Sequence, residues 1–227
     1  AAVAEQLGVG LAPRGNPHLA TRPEVYDRFL QARSLARERR KGPIEEARRL
    51  LLEAAALDPD YAPAFAALAQ TTMLLADHPS SYGDIPIPQA QAEARRYAGR
   101  AMELAPELGD AYAAYGLISL SDAQALPFYQ RAVALEPQRA DFHRWLGQVL
   151  SALGREQEAL AAYRRAAALD PLHWLSIDHL ADQLSFMGRG EEADAVVERF
   201  ARIATDAHGV ARVQAAQASR QGRLADY

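Results

Sequence analysis

The sequence predicts an all-α protein, a solenoid of antiparallel helix pairs, and three observations carry that prediction. Four segments close on nearly the same tripeptide: Leu57-Asp58-Pro59, Leu104-Ala105-Pro106, Leu135-Glu136-Pro137 and Leu169-Asp170-Pro171. A second marker, Gly-Arg, recurs at intervals of 34 as Gly154-Arg155, Gly188-Arg189 and Gly222-Arg223. No segment alternates apolar and polar residues as a half-buried strand does.

The second helices of the pairs follow from the proline-closed segments. Five residues before each proline stands an alanine (Ala54, Ala101, Ala132, Ala166), and twelve residues before stands another (Ala47, Ala94, Ala125, Ala159). Eight residues before lie Leu51, Ala98, Tyr129 and Tyr163. These spacings line one face of a helix, and two helices approach closely only where neither presents a bulky side chain. The first helices carry the partner small residue, at Ala69, Gly116, Gly147, Ala181 and Ala215. The glycine of each Gly-Arg supplies the left-handed backbone of a tight helix-to-helix turn.

In chain order the predicted helices span 23–39, 43–57, 62–76, 88–104, 109–120, 122–135, 139–152, 156–169, 173–187, 190–203 and 207–221. The first pair has Ala32 at its small position and a three-residue excess in its turn, around Arg40 to Pro43. The second is interrupted by an insertion from Asp77 to Pro88, with Pro79, Pro86, Pro88 and Tyr82-Gly83. A loop that long is uncommon in a helical domain and is a binding candidate, although its prolines also suit plain rigidity. The third pair is three residues short between Gly116 and Ala125 and places Pro127 in the first turn of its helix, where a missing N–H does little harm. The fifth ends at Thr205, where proline is expected. After it, Gly222-Arg223 would open one more second helix, leaving the array with a partial sixth repeat; the alternative is that the helix over 207–221 is a cap with a polar outer face, which Arg212, Gln214, Gln217 and Arg220 suit.

Residues 1–22 stand apart from the repeat. Ala1 to Leu7 suit a short helix, and Gly8, Gly10, Pro13, Gly15 and Pro17 read as a linker or the end of a preceding domain. The chain begins without Met, which suggests a start partway through a longer polypeptide.

Composition narrows the function classes. The 227 residues carry 25 basic and 29 acidic side chains and no Cys, which excludes disulfides, Cys-ligated zinc, iron–sulfur clusters and thiol chemistry. Alanine accounts for 49 residues, a composition suited to thin helical layers rather than one thick core. Arg outnumbers Lys 24 to 1, the mark of a GC-rich, bacterial genome. No apolar run approaches the roughly 18 residues of a membrane span, and no signal pattern opens the chain. A cytoplasmic, soluble protein is expected.

A 34-residue period with these small residues, an intervening tyrosine or large apolar group and a closing proline resembles the tetratricopeptide repeat family. The resemblance runs from Pro23 to about Tyr227 and is densest over Ala140 to Leu172, with Leu146-Gly147, Gly154, Ala159, Tyr163, Ala166 and Pro171 in place. It implies a right-handed superhelix of about five repeats and a partial sixth over 23–227, binding extended or helical peptides on a concave wall lined by the first helices. Tyr26, Leu30 and Tyr61-Ala62 are similar to repeat arrays that follow signalling or DNA-binding modules in bacterial regulators.

Carried onto this sequence, the wall positions are Gln70 and Met73, then Asp110, Ala113 and Leu117, then Asp141, Arg144 and Gln148, then Leu175, Asp178 and Asp182. The wall is apolar near repeats two and three and acidic near four and five, where a basic or weakly polar ligand is expected. The family's chaperone-binding members need Lys and Asn on successive inner faces and Lys and Arg on the third. The matching positions here are Ala66, Gln70, Ala114, Asp141 and Trp145, so that activity does not carry over.

No catalytic constellation is present: no Gly-x-Ser-x-Gly turn and no glycine-rich loop closing on Lys-Ser/Thr. Asp178, His179 and Asp182 share a helix, but without a second His at i+4 they read as a solvated face rather than a metal site, and no cofactor is expected. Arg33, Arg37, Arg39, Arg40 and Lys41 form a basic run broken by Glu38 and followed by Glu45 and Glu46. Nucleic-acid binding requires several unopposed cations, so the run reads as a solvated helix end. The expected function is a non-enzymatic module that binds a protein or peptide. The alternatives are a regulatory or substrate-recruiting region of a larger enzyme or transcriptional regulator, and a self-associating scaffold.

Overall fold

The computed structural model of the chain describes residues 19–78 and 81–222. Those residues form eleven α-helices and no strand, with one isolated bridge between Ala76 and Ile85. The helices are α1 (Pro23–Arg37), α2 (Lys41–Leu57), α3 (Ala62–Leu74), α4 (Ile87–Leu104), α5 (Gly109–Ile118), α6 (Asp122–Leu135), α7 (Ala140–Ala152), α8 (Glu156–Leu169), α9 (Trp174–Phe186), α10 (Gly190–Ile203) and α11 (Ala207–Arg220). Every bound lies within two residues of its sequence expectation. The expected helix over 1–7, the linker glycines and prolines, and the helix expected after Gly222 lie outside the described residues, as does Pro79.

The helices form two compact units, Ala1–Ser119 and Leu120–Tyr227, divided in the turn that is three residues short. In the first unit α1 to α5 pack consecutively, and the first helices α1, α3 and α5 also touch in succession. In the second unit α6 to α11 do the same through α7, α9 and α11. This is the pattern of stacked antiparallel pairs. Ala47, Ala54, Ala94, Ala101, Ala132, Ala159 and Ala166 are all fully buried, as expected of residues at helix crossings.

The links obey one local rule. Asp58, Ala105, Glu136 and Asp170 precede the four prolines, and all adopt φ between −133° and −141° with ψ of 73° to 90°. The pyrrolidine ring disfavours helical backbone in the residue before it, so each helix stops there. Each of these residues donates its N–H to the alanine carbonyl four positions back, at 2.9–3.0 Å.

The turns inside the pairs obey another rule. Gly154 and Gly188 have φ of +72° and +73°. Arg155 N–H donates to the Leu150 carbonyl and Arg189 N–H to the Leu184 carbonyl, both at 2.8 Å, while Gly154 and Gly188 donate to Ser151 and Ser185 at 3.0 Å. These are the paired bonds of a Schellman cap, which requires a left-handed residue. The arginine then forks onto the carboxylate three residues on, Arg155 onto Glu158 and Arg189 onto Glu192, at 2.6–2.8 Å.

Two placements differ from the sequence reading. Pro127 lies in the second turn of α6, because the helix starts at Asp122 behind its Ser121 cap; its missing N–H removes the bond to the Ala123 carbonyl. Residues 19–22, assigned to the linker, dock onto the first unit. Leu19 packs beside Ala62 and Leu104, Thr21 donates to Asp58, and Arg22 donates to the Leu57 carbonyl.

Candidate functional site

In α7 the spacing of Asp141, Arg144 and Gln148 puts all three on one helix face, and the structure joins them. Arg144 donates from Nη2 to Asp141 Oδ1 at 3.4 Å and from Nη1 to Gln148 Oε1 at 3.3 Å. Its guanidinium lies 5.3 Å from the Trp145 ring centroid. The sequence reading puts Arg144 on an accessible wall, yet only 2% of it is exposed. Burial pushes the Tyr129 and Tyr163 hydroxyls well above the usual phenol range, and the charge of Arg144 works against that rise at both. Arg144 Nε has no hydrogen-bond partner. Gln148 is exposed and Asp141 half-buried, so the accessible chemistry of this face of α7 is an amide and part of a carboxylate.

In α9, one period on, Asp178 and Asp182 are four residues apart and converge on a cation from another helix. Arg220, at the end of α11, donates from Nη1 to Asp178 Oδ1 at 3.1 Å and also to Asp182 Oδ1. The Asp178 carboxyl is raised above its ordinary value, first by burial and then by the neighbouring Asp182 charge, with Arg220 opposing both. His179 leaves this group and sets its ring edge-on to Tyr163, 5.6 Å between centroids. The Asp178–His179–Asp182 trio is therefore split, and among the described residues no cluster of three His, Asp or Glu could hold a metal ion.

In the first unit Gln70 of α3 donates to the main-chain carbonyl and the Oδ1 of Asp110 in α5, both at 3.3 Å. Met73 and Leu117 are half-buried, and the Met73 side chain packs beside the Ala69–Ala114–Ile118 core. Residues 81–85 of the insertion fold back as a cap on α3. Ser81 Oγ donates to the Met73 carbonyl, Tyr82 N–H to Leu74 and Ile85 N–H to Leu75. Gly83 passes so near that an added Cβ would lie 2.3 Å from the Leu75 oxygen. Asp84 then pairs with Lys41 at 2.8 Å. Other cations of the basic run are engaged as well, Arg40 by Glu38 and Arg33 over the Phe29 ring.

The structure thus joins seven of the expected wall residues into three polar groups, two of them centred on an arginine. Sequence reasoning placed Arg220 only on the polar outer face of a cap helix and missed its contact with Asp178 and Asp182. Counting by the period relates it to Ala152 and Phe186; a charged group at a position otherwise small or apolar was the available signal.

The tetratricopeptide repeat family profile matches residues 140–173. A thermophilic tetratricopeptide-repeat protein of Thermus thermophilus is 21% identical with a TM-score of 0.63, over 85% of this chain and 98% of its own. PilF of Pseudomonas aeruginosa is 18% identical with a TM-score of 0.56, over 88% of this chain and 90% of its own. At such identities the likeness is one of fold. No curated protein matches the sequence.

Proposed function

This chain carries a tetratricopeptide repeat in a tetratricopeptide-repeat fold, and we propose that it is a non-enzymatic cytoplasmic module that binds a peptide segment or partner domain against the faces of its first helices. Repeat proteins of this kind act as interaction scaffolds, because each repeat contributes a short stretch of an extended surface. The supporting observation is the state of one repeat position. Gln148 in α7 and Asp182 in α9 stand 34 residues apart, and both are exposed while their neighbours Gly147, Val149, Ala181 and Gln183 are buried. The apolar core uses neither side chain, although Gln148 accepts from Arg144 and Asp182 from Arg220. An amide and a carboxylate there suit a polar peptide backbone and basic side chains.

The test is site-specific photocrosslinking during affinity capture, followed by mass spectrometry. A benzoylphenylalanine at position 148 or 182 should label the captured protein. The same group at Ala161, exposed on the second helix α8, should label nothing. Equal labelling from Ala161 would move the interface off the first helices.

A further inference from the structure

We propose that α11 is a latch that Arg220 closes on α9, and that an arginine-bearing peptide competes with Arg220 for the carboxylates of Asp178 and Asp182. The inference rests on the reading that ligands lie against the first helices, and it names the chemistry read in the second unit.

Four independent features of α11 point to a latch rather than a core helix. Of its 14 residues only Gly209 and Val213 are buried, whereas α7 buries six and α9 seven. Val213 enters the core with Val210 beside it, and Arg212 lies 4.7 Å over the Trp174 ring. The rest of the helix's attachment is polar, through Arg220 to Asp178 and Asp182 and through Gln217 and Gln221 to the Asp194 carboxylate of α10.

The link into α11 also departs from the other four. No proline follows Ala204, which has φ −77° and ψ 137° in place of the conformation shared before the prolines. The restriction that fixes those links is absent here, so the helix can swing without working against a ring.

The contact itself is not a consequence of the repeat. Asp178 and Asp182 stand where α7 has Arg144 and Gln148, and Arg220 stands where earlier repeats have Ala152 and Phe186. A carboxylate pair on α9 needs a cation to offset its mutual repulsion, and α9 supplies none of its own, in contrast to Arg144 beside Asp141 within α7.

The closed latch is an imperfect fit for a guanidinium. Arg220 uses Nη1 for both carboxylates, and its Nη2 is buried with no partner. An arginine not tethered to a helix end can present the two parallel N–H groups that suit carboxylates. Tethering nevertheless gives Arg220 an effective concentration on the order of millimolar, so in the closed protein an outside arginine is outcompeted.

The experiment uses the full chain, its Arg220→Gln variant, and an end-blocked, dye-labelled Ala-Ala-Arg-Ala-Ala peptide as probe. Hydrogen exchange should show the α11 amides of the variant exchanging at least about tenfold faster while α7 and α9 keep their protection. The probe should bind the variant at least about tenfold tighter than the unaltered chain. Adding Asp178→Asn and Asp182→Asn should abolish that gain. Those two substitutions alone, which open the contact from the α9 side, should release α11 as Arg220→Gln does. Unchanged α11 exchange in both variants, or equal probe affinity for the unaltered chain and Arg220→Gln, would overturn the latch. The exchange readout needs no ligand, and crosslinking from position 148 does not involve Arg220, so each reading can fail while the other stands.

Discussion

Gly147 stands so close to Tyr163 that a β-carbon added to it would lie 2.7 Å from ring atoms Cδ1 and Cε1. The ring is buried in the core of the second unit, so α7 and α8 meet there with no room for a methyl group. Alanine would bring about 1 kcal/mol of helix propensity, but overpacking a core costs about 1–3 kcal/mol. Gly147→Ala should therefore lose about 1 kcal/mol and Gly147→Val more. Urea midpoints read the effect; a stabilised Gly147→Ala would mean that the ring gives way.

The left-handed turns make a separable prediction. Nothing lies within 4 Å of a Cβ built on Gly154 or Gly188, yet both have φ above +70°. The penalty for alanine is then conformational alone, about 1 kcal/mol at each position. Gly154→Ala and Gly188→Ala should add in the double variant, since the sites are one repeat apart and share no partner. Thermal unfolding of the singles and the double measures this.

Pro127 offers a gain. It is exposed on α6, with the Ala123 carbonyl deprived of its helical donor. A proline inside a helix costs about 3 kcal/mol, and its restriction of the unfolded chain returns up to about 1 kcal/mol. Pro127→Ala should stabilise the protein by about 2 kcal/mol in chemical denaturation. A loss of stability would mean that α6 accommodates the ring in its second turn without cost.

Asp178 predicts a pH dependence of definite sign. Burial and Asp182 raise its carboxyl above the ordinary value of 3.8, so the folded protein keeps this proton to higher pH than the unfolded chain does. Its contribution to stability is present below 3.8 and is lost as pH rises through that value to the folded one. Carbon-detected NMR should place the Asp178 midpoint above 3.8. The stability of Asp178→Asn relative to the unaltered chain should improve as pH rises across the same window. A midpoint below the ordinary value would mean that Arg220 outweighs burial.

What could be read from the chain was set by rules that act over a few residues. A residue before proline leaves the helical region whatever packs around it, so the ends of α2, α4, α6 and α8 were visible in four tripeptides. A Schellman turn needs a left-handed residue, so Gly154 and Gly188 marked the turns. Alanines at helical spacing marked the crossings, and all of these hold in the structure. Pro127 was misplaced although the start of its helix was read correctly at 122: five residues of α6 precede it, so it falls in the second turn, where the N–H it lacks would have closed a helical bond.

The polar groups were decided by packing between repeats. Gln70 meets Asp110 across 40 residues, and Arg220 meets Asp178 across 42. Such pairs form because stacking lays one first helix beside the next, and long side chains with several rotamers then reach whichever partner lies within a few ångströms. The period alone says which face a residue occupies, but not how far its side chain is covered or toward which neighbour it turns. That is why Arg144, expected at the surface, is enclosed beside Trp145, and why the carboxylates of α9 already hold an arginine from their own chain.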